Sequence, residues 1–127
     1  MTQEQKFNDE FSWGFEPYPI PTDKPLASTV TALCWNDVWP ETGKHKFRVT
    51  NRTGGSHTVT LDKNYFRTIR GLMKNPIKAA SLARIGAYVQ HLRHDFDIEI
   101  HCQRYDGNAY GAYYLVSRVE LLEEEAA

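Results

Sequence analysis

The stretch that decides the fold is SLARIGAYVQHLRHDFDIEI, residues 81–100. Leu82, Ile85, Val89, Leu92 and Phe96 recur at three- and four-residue intervals, the period of a helix with one apolar stripe. Ser81 stands where a helix N-cap is expected. From Asp97 the period changes to two: Ile98, Ile100 and Cys102 alternate with Asp97, Glu99, His101 and Gln103, the pattern of a half-buried strand. This alternation predicts a buried Cys102. A wheel at ~100° per residue separates the two arginines of the helix. Arg93 borders the apolar stripe, where its stem can lie along the core and its head can pair locally. Arg84 lies well around the other side, with Ala83, Ala87, Gln90, His91 and His94. That outer face has no acid, whereas an ordinary solvated helix face carries more glutamate and lysine.

Outward from this helix the pattern continues in both directions. DKNYFRTIRGLMKN, residues 62–75, places Tyr65, Phe66, Ile69, Leu72 and Met73 on one stripe. Asp62 is its expected cap, and Asn75 before Pro76 its expected end. PIKAA, residues 76–80, reads as a short turn between the helices. KHKFRVTNRTGGSHTVTL, residues 44–61, reads as a β-hairpin turning at TGGS. Turn chemistry at YDGNAYG, residues 105–111, precedes a returning strand AYYLVSRVEL, residues 112–121. The order hairpin, helix, turn, helix, hairpin predicts an α+β fold: a winged helix-turn-helix with an N-terminal β-hairpin and a C-terminal β-hairpin wing.

The prolines concentrate elsewhere. Pro17, Pro19, Pro21, Pro25 and Pro40 fall within residues 1–43, which also hold Phe7, Phe11, Trp13, Phe15 and Tyr18. This suggests an extended aromatic arm lying on the domain or on a partner. STVTALCWNDVWP, residues 28–40, is ambiguous between strand and helix. The organisation expected is therefore an acidic, proline- and aromatic-rich arm over 1–43, a winged-helix domain over 44–121 that folds by itself, and an acidic tail over 122–127.

Charge follows the same division. The whole chain carries −1. Residues 44–118 hold thirteen basic against five acidic residues, net +8; residues 1–43 hold seven acids and two lysines, net −5; the tail beyond Arg118 has four glutamates, net −4. A basic segment between acidic ends points toward nucleic acid. Arginine can chelate guanine and glutamine adenine, so Arg84, Ala87, Gln90, His91 and His94 are the candidate groove-facing residues. Lys63, Arg67, Lys74 and Lys78 are candidate phosphate contacts. Arg104 flanks the wing turn, where contacts to phosphate or the minor groove occur. Tyr105 and Tyr110 there are expected to stack across the β-ribbon.

The residues Arg84, Ile85, Tyr88, Val89, Leu92 and Arg93, then Ile98, Ile100, Tyr113 or Tyr114, and Leu115, form a spaced pattern. It resembles the small winged helix-turn-helix proteins of phages, prophages and bacterial chromosomes over roughly residues 60–121. The resemblance implies a DNA-binding regulator or accessory factor, with duplex DNA as partner. The rival reading is a protein-interaction module, a phage-type inhibitor or adaptor engaging a partner through the winged helix and the aromatic arm.

Other chemistry finds little support. His91, His94, His101 and Cys102 fit no zinc spacing, so no metal is expected. TNRTGGSHT lacks the GK[ST] of a phosphate loop. No nucleophile motif stands out, and neither an enzyme nor a cofactor is expected. Two cysteines without a CxxC pair suit a reducing cytoplasm, and the N-terminus shows neither a signal peptide nor a membrane anchor.

Overall fold

A computed structural model describes residues 20–79, 84–105 and 111–122. Over these residues the fold is α+β, with three helices and two sheets. In order the elements are β1 (Val30–Ala32), α1 (Trp35–Val38), β2 (Lys44–Thr50), β3 (Ser56–Asp62), α2 (Lys63–Lys74), β4 (Ile77–Ala79), α3 (Ile85–His94), β5 (Ile100–Gln103), β6 (Ala112–Leu115) and β7 (Arg118–Leu121). One sheet runs β1-β4-β6-β5 and the other β3-β2-β7.

The N-terminal hairpin forms where expected, with Phe47 opposite Val59 and Thr50 opposite Ser56. Gly54 and Gly55 take φ of 113° and 85°, a region that L side chains rarely enter, so TGGS is the turn. The stripe of α2 buries Phe66, Ile69 and Leu72. Asp62 precedes it in an extended conformation but makes no side-chain cap bond, contrary to the expectation. Asn75 ends it, also extended, ahead of Pro76.

Three readings of the sequence are corrected. PIKAA is not simply a turn: Ile77–Ala79 is a strand, parallel to β1 and antiparallel to β6, with Ile77 buried. A strand therefore separates the two helices. The returning strand is two strands. It breaks at Val116 and Ser117, whose N–H groups both donate to the Glu99 carbonyl at 2.8 and 3.1 Å, and β7 continues on the other sheet beside β2. Cys102 is exposed, because β5 is an edge strand and its buried positions stop at Ile100. The helix expected from Ser81 is described from Ile85; Ser81, Leu82 and Ala83 lie outside the described residues, as does Tyr110.

The boundary at residue 44 also cuts through the core. STVTALCWNDVWP is both elements at once, β1 followed by α1. Asp37 closes the turn between them, its carboxylate accepting the Leu33 and Cys34 N–H groups at 2.9 and 3.3 Å. Ala32 and Val38 are buried in the main cluster with Phe47, Ile69, Leu72 and Ile77. Gly71 of α2 allows this close approach: a Cβ there would lie 2.7 Å from the Val38 carbonyl oxygen. Gly71→Ala should therefore destabilise the fold by about 1–3 kcal/mol through overpacking, despite alanine's better helix propensity. Unchanged or raised stability in a denaturant titration would refute the tight packing.

A second cluster covers the face of the β1-β4-β6-β5 sheet opposite the main core, since Ala112 and Tyr114 of β6 alternate with the core-facing Tyr113 and Leu115. Tyr105, Ala112 and Tyr114 are buried there, with Ile20 and Leu26 packed on them. The Tyr105 hydroxyl donates to the Pro21 carbonyl at 2.8 Å and lies 2.6 Å from the Tyr114 hydroxyl. Burial, then the hydrogen bond with Tyr114, holds the Tyr105 phenol protonated well above the ordinary tyrosine range. A raised acid pKa contributes stability that is complete below the unfolded value of about 10 and is lost as pH climbs beyond it. Melts between neutral pH and about pH 11 should show that loss, and Tyr105→Phe should flatten its slope. An equal slope in both proteins would place the alkaline sensitivity elsewhere.

Candidate nucleic-acid interface

Helix α3 buries Ile85, Val89 and Leu92. Arg84, immediately before it, and Ala87, Gln90, His91 and His94 on it are all exposed. All five candidate groove residues thus share the solvent side of one helix, but, contrary to the expectation, that side has an acid: Asp95, exposed at the C-cap, falls near ~220° on the wheel, beside Arg84 and His91. Arg93 differs from expectation, since it too is exposed. The three buried residues centre near ~305° on the wheel that has Leu82 at zero, leaving Arg93 near ~20° outside the covered sector. It borders an open cleft of ≈ 280 Å³ with His94, Asp97, Glu99 and His101.

A second cleft, of ≈ 320 Å³, lies in the candidate face itself, lined by Tyr65, Arg84, Ala87, Tyr88 and His91. Tyr65 reaches it from the first turn of α2. Its hydroxyl lies 2.7 Å from His91 Nδ1, and its ring meets Tyr88 edge-on at 4.9 Å. Trp35 of α1 meets Tyr88 edge-on from another side at 5.3 Å. Either atom can donate: Nδ1 accepts from the hydroxyl when the ring proton is on Nε2, and Nδ1–H donates to it when the proton is on Nδ1. Sequence reasoning assigned Tyr65 to the apolar stripe and missed this role. The available signal was a tyrosine, rather than a phenylalanine, at the stripe's edge; a half-buried phenol requires a partner.

Arg104 is exposed just beyond β5. It lies close enough to act electrostatically on the Tyr113 phenol, and the Tyr113 hydroxyl is 3.3 Å from where a Cβ on Gly86 of α3 would stand. The base of the β5–β6 hairpin and the start of α3 are therefore neighbours.

The remaining candidates lie apart. Lys78 is half-buried in β4, opposite Ala112 and Thr31, and strand alternation puts it on the sheet face away from Ile77 and the helices. Arg67 and Lys74 lie on one ridge of α2, turned roughly 170–200° around that helix from Tyr65, while Lys63, exposed at its first residue, has a φ of 51° and does not follow the helical angle. Arg67 Nη2 donates to the Pro40 carbonyl at 3.3 Å, and Lys74 Nζ stands 6.0 Å from the centre of the Trp39 ring. Arg70 shares the ridge, its guanidinium 4.4 Å over Trp39. The i, i+3 and i+4 spacings from Arg67 and Lys74 would have revealed it in the sequence.

Among the described residues no helix is long and apolar enough to cross a membrane, and no three His, Cys, Asp or Glu side chains converge as metal ligands. No family model matches the chain, and no curated protein or solved structure matches it.

Proposed function

We propose that this chain is a winged-helix DNA-binding protein that places α3 in the major groove of duplex DNA and sets the β5–β6 hairpin beside it as the wing. The observation that carries the reading is the solvent face of α3, where Arg84, Ala87, Gln90, His91 and His94 are exposed together and the one carboxylate, Asp95, stands at the C-cap a turn beyond His91. Alanine lets the helix backbone sink toward base edges; arginine and glutamine supply bidentate donors and acceptors. Arg104 at the base of the hairpin is a phosphate contact beside the groove. The architecture departs from a simple helix-turn-helix because β4 stands between α2 and α3. The wider reading is a cytoplasmic regulator or accessory factor of the phage and prophage type.

The test is a titration of the full chain against duplex DNA of random and selected sequence at about 50 and about 200 mM salt. Affinity that falls steeply with salt, with a preference among sequences, is the expected result. No binding to any duplex at low salt would defeat the proposal. It would leave the protein-interaction reading, for which the support is Leu33, 59% exposed at the entrance to α1.

A further inference from the structure

Helix α2 carries a second cationic surface. Arg67, Arg70 and Lys74 recur at intervals of three and four, forming a ridge ~11 Å long on the side of α2 away from Tyr65, and Lys63, exposed at the helix's first residue with a φ of 51°, adds a fourth charge at that end. Among the described residues none of the four makes an ion pair with a carboxylate. The helix has no acid anywhere along it. Like charges at these spacings repel and weaken a helix by a few tenths of a kcal/mol per pair. The ridge is nonetheless built in rather than left loose. Arg67 is anchored on the Pro40 carbonyl and Arg70 lies over Trp39, and burial there lowers the Arg70 guanidinium from its ordinary value. Trp39 thus holds one cation in place with a second, Lys74, near the same ring.

The ridge lies on the side of α2 turned away from Tyr65, the residue through which α2 meets His91 of α3. We infer that the α2 ridge is a separate binding surface for the phosphate backbone of a second duplex, so that one chain bridges two DNA segments. The inference rests on duplex DNA being the partner of α3. Charge complementarity selects the occupant. A duplex offers one negative charge per about 1.7 Å of its axis, so the ridge faces a continuous line of phosphates. The ridge has no groove-reading geometry of its own, since its side chains are held across Trp39 and Pro40. Its binding should be indifferent to sequence and strongly sensitive to salt.

The experiment uses the full chain with a mixture of donor-labelled and acceptor-labelled short duplexes. Lys63→Gln combined with Lys74→Gln removes two exposed charges and spares the Arg67 and Arg70 contacts. The unaltered chain should bring the duplexes together and give energy transfer. The double variant should lose that transfer, keep its binding to a single duplex, and show a total salt slope smaller by about 2. No transfer with the unaltered chain overturns the inference, as does transfer that survives in the double variant, the result expected if paired copies of the chain carry the duplexes. A poly-glutamate peptide that binds the unaltered chain more tightly than duplex does, and fails on the double variant, also overturns it and assigns the ridge to an acidic protein partner. Arg84→Ala separates the two proposals: unchanged single-duplex affinity in that variant sinks the α3 reading and the bridging that rests on it, whereas weakened single-duplex affinity together with transfer that survives in the double variant sinks the ridge alone.

Discussion

A fragment of residues 44–121 should fail to melt cooperatively, while one beginning at Ile20 should melt cooperatively. The first fragment lacks β1 and α1, and with them Ala32 and Val38 from the main core, Trp35 from the ring of Tyr88, and Trp39 from beneath Arg70. Burial of a single valine is worth about 1.5–3 kcal/mol, and the half-buried tryptophans add more. The cut also strips the hydrogen-bonded partner from one edge of β4 and uncovers Gly71 and Ile77. At the other end it removes Ile20 and Leu26 from Tyr105 and Tyr114, and the Pro21 carbonyl from the Tyr105 hydroxyl. The combined loss, on the order of 5 kcal/mol or more, rivals the whole stability of an ordinary domain, about 5–15 kcal/mol. Calorimetry on the two fragments decides it. A sharp transition in residues 44–121 would mean that β1 and α1 decorate a fold that does not need them.

The reason this dependence was hidden is instructive. Periodicity in α2, α3 and the first hairpin was legible because each is long enough to repeat its pattern, as with Phe66, Ile69 and Leu72 or Phe47 and Val49. Strands of three residues carry no period. Val30–Ala32 and Ile77–Ala79 hold together by pairing with each other across 47 residues of sequence, a fact of tertiary structure that neither segment announces. The proline-rich composition around β1 pointed toward an arm, and the arm reading hid the strand.

The break between β6 and β7 was illegible for a related reason. AYYLVSRVEL looks like one strand because Ser117 is a small polar residue among β-formers. In the structure Ser117 is fully buried. Its hydroxyl accepts the Glu99 N–H at 2.8 Å and donates to the Asn51 side-chain oxygen, while the Asn51 amide donates to the Asp97 carbonyl at 3.0 Å. Glu99 in turn accepts the Arg52 N–H at 2.8 Å and the Thr53 hydroxyl at 3.0 Å. The first hairpin's turn, the segment after α3 and the sheet switch are thus bound by one polar network. Of the candidate site, the outer face of α3 was readable from angle alone. The separation of α3 from the α2 ridge was not, because it depends on how two helices are set around a core.

Arg84→Ala should weaken binding to a preferred DNA site by about 1–3 kcal/mol, roughly 5- to 150-fold, if the guanidinium reads a base edge. Its melting temperature should stay close to that of the unaltered chain, because Arg84 is exposed and such substitutions usually shift stability by less than about 0.5 kcal/mol. Arg93→Ala is the informative companion. The sequence alone made it a core-edge residue whose loss would destabilise the fold; its exposure in the structure predicts instead an equally small change in melting. Arg93 also lies on the cleft with Asp97 and Glu99, away from the Tyr65 and His91 pair, so its loss should cost little sequence preference. Tyr65→Phe completes the set. It removes the hydroxyl that lies 2.7 Å from His91 Nδ1 but keeps the ring packed on Tyr88 and Phe96. Nitrogen-15 spectra of the imidazole should then show a changed ratio of the two tautomers, with or without DNA. In titrations the Tyr65→Phe variant should discriminate less at the base pair His91 faces, with a smaller loss of overall affinity than Arg84→Ala. A selective DNA defect in Arg93→Ala, with Arg84→Ala binding normally, would mean that the DNA lies against the α3–β5 cleft and that the face built on Tyr65, Arg84 and His91 serves another partner.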